Sequence, residues 1–146
     1  MVIIWILIIF CIVVGVLWFK SKIDGDKIKT EAVEFDTQKT MNQIAKALRS
    51  FNCQMERLDD DPLSNGSDSD IAVLMSGEPG FTDKFKHPGG ATSVWGVQVY
   101  VVDLGNHRHV KLVALGQNIM GNRTYAKGYG LGFSRDYRDK IASMLA

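Results

Sequence analysis

The first nineteen residues carry no charged side chain, and Gly15 alone interrupts their run of apolar residues. As an α-helix this run rises about 28 Å, which matches the hydrocarbon core of a bilayer. A helix satisfies every backbone group within the segment, as lipid requires. We predict a transmembrane helix at residues 1–19, a juxtamembrane hinge at 20–26 and a small soluble α+β domain at 27–146. The residues predicted to contact lipid and neighbouring helices are Val2, Ile3, Trp5, Ile6, Ile9, Phe10, Val13, Gly15 and Trp18.

A cleaved signal peptide is the alternative interpretation of this run. Signal peptides carry a basic segment before a shorter apolar stretch, and small residues precede the cleavage site. Here the run has no basic segment before it and ends in the bulky residues Trp18 and Phe19. We therefore expect the helix to be retained as an anchor.

The charges that flank the run bear on the orientation of the anchor. Lys20 and Lys22 follow it directly, and by the positive-inside rule they favour a cytoplasmic domain. Two lysines are a small bias, so the sequence leaves both orientations open.

The overall charge limits the classes of partner. The 17 Lys and Arg residues nearly balance the 16 Asp and Glu residues, which gives a net charge of +1. This balance argues against nucleic-acid binding through a broad basic face. Cys11 lies in the apolar run and Cys53 in the soluble part, so we expect neither an internal disulfide nor a zinc site.

Residues 27–51 contain neither proline nor glycine and show a helical pattern. An apolar stripe recurs at steps of three and four residues, and it comprises Met41, Ile44, Ala45, Leu48 and Phe51. We predict an amphipathic helix that either continues the membrane helix or restarts after Gly25. Its apolar stripe is expected to pack on one face of a sheet.

The second half of the chain shows the two-residue period of β-strands. Residues 94–102 are rich in valine and aromatics, and residues 109–115 follow after a short turn. Residues 124–133 are predicted to form a third strand with glycine at alternate positions, and residues 136–146 a closing helix. Short connections favour an antiparallel meander of three or four strands.

Two groups of side chains are candidate metal ligands. His107 and His109 share one face of an extended strand, and the acidic loop at 59–70 clusters aspartates. We interpret the first as a polar hairpin tip and the second as a solvated loop. Since no catalytic motif is present, we expect no enzymatic activity, cofactor or small-molecule substrate.

The order of these parts resembles that of type IV pilins, in which an apolar helix runs into an amphipathic helix and an antiparallel sheet. The stretch at 89–99 (GGATSVWGVQV) is loosely similar to the beginning of a strand in some type IVb pilins. Met1, followed directly by the apolar run, is similar to a mature pilin after leader removal. Trp5 stands where most pilins carry glutamate, and the C-terminal disulfide of major pilins is absent. Some tip-type minor subunits lack that glutamate, so the resemblance is to a minor subunit.

The resemblance implies a subunit whose apolar helix is first held in the membrane and then packs among like or related helices in a filament or pseudopilus. Its soluble domain would then face away from the cytoplasm. The alternative is a single-pass accessory or docking subunit of a membrane complex, such as a secretion machine or a membrane-containing virion. The two functions place the domain in different compartments. A pilin domain must face outward, whereas the flanking lysines favour the cytoplasm.

Overall fold

The computed structural model describes residues 1–56, 80–87, 89 and 96–146, and the fold class is α+β, as predicted. Three helices and an antiparallel sheet make up the described part. The elements in chain order are α1 (Val2–Glu31), β1 (Val33–Thr37), α2 (Met41–Ser50), β2 (Gln54–Glu56), β3 (Asp83–His87), β4 (Gly96–Asp103), β5 (Arg108–Gln117), β6 (Arg123–Tyr125) and α3 (Leu131–Leu145).

The first helix is continuous from the apolar run into the domain. Its backbone is helical through residues 20–26, so the structure has the continuing helix rather than one that restarts after Gly25. The helix ends because Ala32 is extended, with φ −73° and ψ 134°, while its N–H still donates to the carbonyl of Ile28. The chain therefore passes from α1 to β1 without a loop.

The prediction of one helix across residues 27–51 is wrong in its middle part. Residues 33–37 form the strand β1, in which buried or half-buried positions alternate with exposed Glu34 and Asp36. This two-residue period is that of a strand, and pairing with β5 decides the conformation. The helix α2 then starts afresh at a capping box, in which Thr40 accepts from the Gln43 backbone N–H and its own N–H donates to the Gln43 side chain.

The described sheet has six strands, against the three or four predicted. Its order is β1-β5-β4-β3-β2. The short strand β6 pairs with the end of β5, beyond the part of β5 that pairs with β1. All pairs are antiparallel, and β4 pairs with β5 over its whole length. The additional strands are β1, β2 and β3, which are short and carry charged residues, so their apolar periodicity in the sequence is weak.

The predicted strand at 124–133 is confirmed only at its start, because β6 ends at Tyr125 and Tyr129 makes one isolated bridge to Gln117. Gly128 and Gly130 have φ values of 95° and 75°, which turn the chain out of the sheet and into α3. A Cβ on Gly116 would overlap the carbonyl oxygen of Lys127, so this glycine lets the turning chain cross close to β5. The closing helix accordingly begins at Leu131 and not at residue 136.

The two faces of the sheet bury separate apolar clusters. On one face α2 and α3 cover β4 and β5: Ile44 and Leu48 are fully buried there, while Met41, Ala45 and Phe51 pack at the margin. The members of α3 in this cluster include Ile141 and Leu145. The opposite face packs against the end of α1, where the buried residues are Ile28, Phe81, Tyr100, Val102, Val113, Leu115, Tyr125 and Ala126. The stripe predicted from the sequence therefore lies between α2 and the sheet.

Candidate functional site

The apolar part of α1 stands clear of the sheet domain. Residues from Val2 to Lys20 form a helix that is long and apolar enough to cross a membrane, and none of this stretch is buried in the protein. Its large apolar side chains are 44–73 % exposed. All nine residues predicted for the membrane helix lie on this exposed stretch, namely Val2, Ile3, Trp5, Ile6, Ile9, Phe10, Val13, Gly15 and Trp18.

One side of this helix carries a shallow groove of about 350 Å³. The groove runs over Gly15, and apart from its chain neighbours and the nearby backbone of the helix no atom lies within 4 Å of the position that a Cβ would occupy there. The small residue Cys11 lies one turn away, and the walls are formed by Phe10, Val14 and Trp18. Small residues four apart allow two helix backbones to approach closely in lipid. The shape is therefore suited to receive a side chain or a second helix.

A clamp joins the end of α1 to α3, and we define it as Glu31, Arg135 and Arg138. Nε of Arg135 donates to Oε2 of Glu31 at 2.7 Å, and its Nη2 donates to Oε1. Nη1 of Arg138 donates to the backbone carbonyl of Glu31 and lies 3.5 Å from Oε2. Both carboxylate oxygens and the last carbonyl of the helix are therefore held by arginines from the first turns of α3.

The electrostatics of the clamp follow from this geometry. The hydrogen bond from Arg135 is the largest cause that lowers the pKa of the Glu31 carboxyl below its ordinary value, and the charges of Arg135 and Arg138 add to it. The same contact raises the pKa of Arg135. The carboxylate is thus kept ionised where α1 meets the domain, and the clamp ties the end of α1 to α3.

The two candidate histidines lie at the β4–β5 hairpin and face the edge strand β1. Nδ1 of His109 and Oδ1 of Asp36 share a hydrogen bond of 2.8 Å, and Nε2 of His109 lies 3.6 Å from Glu34. Nε2 of His107 lies 3.7 Å from the second oxygen of Asp36. Among the described residues, no group of three His, Cys, Asp or Glu side chains is arranged to hold a metal ion. The acidic loop at 59–70 lies outside the described residues.

The two cysteines lie in different environments. Cys11 is exposed on α1, whereas Cys53 is 2 % exposed in the cluster between α2 and the sheet. Burial raises the pKa of the Cys53 thiol to about 12, so its reactive thiolate is scarce at neutral pH. Cys11 is therefore the natural chemical reporter on α1, and a reporter on the domain has to be introduced.

The clamp is the feature that sequence reasoning missed. More than a hundred residues separate Glu31 from Arg135 and Arg138, and isolated charges in two helices give no sign of pairing. The predicted helix across residues 27–51 hid the end of α1 at Glu31, so no signal in the sequence pointed to this pairing. No known protein family, curated protein or solved structure matches this chain.

Proposed function

We propose that this chain is a non-enzymatic, single-pass membrane protein, a pilin-like subunit that assembles through α1 with like or related subunits in a filament or pseudopilus. The observation that carries the proposal is the separation of the two parts. The sheet domain buries its own apolar clusters on both faces, while the apolar stretch of α1 contacts none of them. The stretch is therefore available to lipid and to other helices.

Packing against a second helix explains the groove over Gly15. In lipid the association of helices depends on van der Waals contact rather than on removal of water, so close approach at small residues is favourable. Cys11 and Gly15 lie on the same side of α1, four residues apart, and the wider side chains of Phe10 and Trp18 flank them. This side is the expected contact between neighbouring subunits, with lipid around the rest of the helix.

Oxidative cross-linking of Cys11 tests this assembly in native membranes. With Cys53 replaced by alanine, copper phenanthroline is expected to give a disulfide-linked dimer on non-reducing gels. Gly15→Leu fills the groove and is expected to lower the yield about fivefold, which corresponds to about 1 kcal/mol. Val13→Leu adds bulk about 200° away from Cys11 on the helix and is the matched control.

Moving the cysteine tests whether the contact is specific. Cys11→Ala with Ile9→Cys places the thiol about 200° around the helix, where cross-linking is expected to be weak. Equal yields from positions 9 and 11 would indicate random collision and contradict assembly through this side. Absence of any dimer at native expression would contradict assembly with like subunits.

A second candidate function is a single-pass accessory or docking subunit of a membrane complex, whose domain stays in the cytoplasm. The lysines at positions 20 and 22, directly after the apolar run, favour it. Such a subunit would use the same anchor and would not enter a filament. The compartment of the sheet domain distinguishes the two functions.

Labelling of an introduced cysteine measures that compartment. Asn106 is exposed in the β4–β5 turn, so we choose Asn106→Cys in a chain with Cys11→Ala and Cys53→Ala. For a pilin-like subunit, a membrane-impermeant maleimide is expected to label intact cells before the inner membrane is permeabilised. Labelling only after permeabilisation would contradict the pilin-like function and support the cytoplasmic docking subunit. Denatured protein controls for the reactivity of the thiol.

A further inference from the structure

Four exposed apolar side chains gather at the end of the sheet where β5 finishes, and we name them the apolar rim. Ile119 and Met120 lie in the β5–β6 turn and are 88 % and 79 % exposed. Tyr129 precedes α3 and Phe133 lies in its first turn, and they are 61 % and 67 % exposed. Such a group on an otherwise well-packed domain indicates a contact surface.

The rim is held in place by hydrogen bonds. In the turn, Oδ1 of Asn118 accepts from the backbone N–H groups of Met120 and Asn122, both at 2.9 Å. Gln117 and Tyr129 exchange two backbone hydrogen bonds of 3.0 and 2.8 Å. The apolar side chains are therefore presented to solvent by a fixed backbone.

The rim lies at the end of the sheet from which α1 arrives. β1 begins at Val33 opposite Leu112 and runs antiparallel to β5 towards its beginning. The rest of β5 thus extends past the start of β1, on the side of α1. Ile28, in the last turns of α1, is buried in one cluster with Leu115 and Tyr125 from this part of the sheet.

Two lengths relate the rim to the end of the apolar span. From Leu112 to Gln117 the strand advances five residues, or about 17 Å. From Lys20, where the candidate span ends, to Glu31 the helix rises eleven residues, or about 16 Å. The two lengths are nearly equal, so the end of β5 lies as far from the junction of α1 and β1 as the end of the apolar span does.

We propose that the apolar rim inserts into the interfacial zone of the same membrane that α1 crosses. The lipid interface is its occupant because the rim is apolar, lies at the end of the sheet where α1 joins the domain, and is about as far from that junction as the end of the apolar span. Side chains that insert in this way bury themselves about 5–10 Å into the headgroup and acyl boundary, and tyrosine is favoured there. The inference rests on the proposed membrane anchor, and it adds a second attachment that restrains the tilt of the domain.

Fluorescence quenching by brominated lipid tests this contact. The full chain, with Cys11→Ala, Cys53→Ala and Met120→Cys, is labelled with bimane and reconstituted in phosphatidylcholine and phosphatidylglycerol vesicles. With lipid brominated near the headgroup, the label at position 120 is expected to lose most of its emission. The matched control is a label at Asn106→Cys, in the β4–β5 turn at the other end of the sheet, which is expected to lose none.

The bimane label is itself apolar and could enter lipid without the rim, so a second variant tests the native side chains at positions 119 and 120. Bimane at Tyr129→Cys is expected to be quenched when Ile119 and Met120 are native, and to be much less quenched with Ile119→Ser and Met120→Ser. Leu104→Ser, a change of one exposed apolar residue at the far turn, is expected to leave the quenching at position 129 unchanged.

The outcomes separate this inference from the anchor itself. Protein that fails to float with vesicles would contradict the anchor. Protein that floats but shows no lipid quenching at position 120 would overturn the rim contact alone. Self-quenching at position 120 that disappears on dilution with lipid would identify a second copy as the occupant and would also overturn it.

Discussion

Replacing both Ile9 and Val13 with aspartate is expected to move the protein out of the membrane fraction. Each aspartate near the centre of a membrane helix costs about 2.5–3.5 kcal/mol on insertion scales. The remaining large apolar residues of the run each contribute about 0.3–0.6 kcal/mol, so the two charges offset most of the total. The measurement is the fraction of protein that resists carbonate extraction and floats with membranes.

The matched control for this change is Ile9→Leu with Val13→Leu, which keeps the run apolar and is expected to leave retention unchanged. The side chains at positions 9 and 13 are 58 % and 50 % exposed and lie outside both apolar clusters. The thermal midpoint of the sheet domain in detergent is therefore expected to be the same in all three proteins. Full membrane retention of the doubly charged variant would contradict the anchor.

Truncation of the clamp by Glu31→Ala is expected to destabilise the domain by about 2 kcal/mol. Loss of one partner of a buried ion pair costs about 3–5 kcal/mol, and the exposure of Arg135 reduces the figure here. Arg138, with its side chain 11 % exposed, would keep its contact with Asp139 but lose the carboxylate. For a domain of this size, thermal unfolding is expected to shift down by about 5–10 °C.

A double-mutant cycle identifies the pairing as the cause. Glu31→Ala and Arg135→Ala are expected to cost less together than the sum of their separate effects, because each removes the same contact. Ser143→Ala is the control on α3, where the hydroxyl is exposed and bonds within its own helix. Additive losses from Glu31 and Arg135 would contradict the clamp.

The clamp also predicts a dependence of stability on pH. Because the pKa of Glu31 is lower in the folded state than in the unfolded state, the carboxylate stabilises the fold above its ordinary pKa of 4.5. This contribution is lost as the pH falls through the folded value. The difference in unfolding free energy between the native protein and Glu31→Gln is therefore expected to be constant near neutral pH and to shrink below about pH 4.5.

The sequence alone was sufficient where a local pattern determines the element. The absence of charge over residues 1–19 predicts an apolar helix long enough to cross a membrane, and the stripe from Met41 to Phe51 predicts α2 and its buried face. Valine-rich alternation predicts β4 and β5 to within one or two residues. In each case the pattern of apolar residues within one segment determines the element.

Only the tertiary structure decided three other features. β1 is a strand because β5 is beside it, although its residues also suit a helix. Gly128 and Gly130 end the ladder because the chain crosses close to β5 at Gly116, and this cannot be read from alternate glycines. Glu31 is paired because α3 folds back onto the end of α1 from more than a hundred residues away. Apolar periodicity is a property of one segment, whereas strand pairing, close backbone approach and ion pairing depend on which distant segments meet.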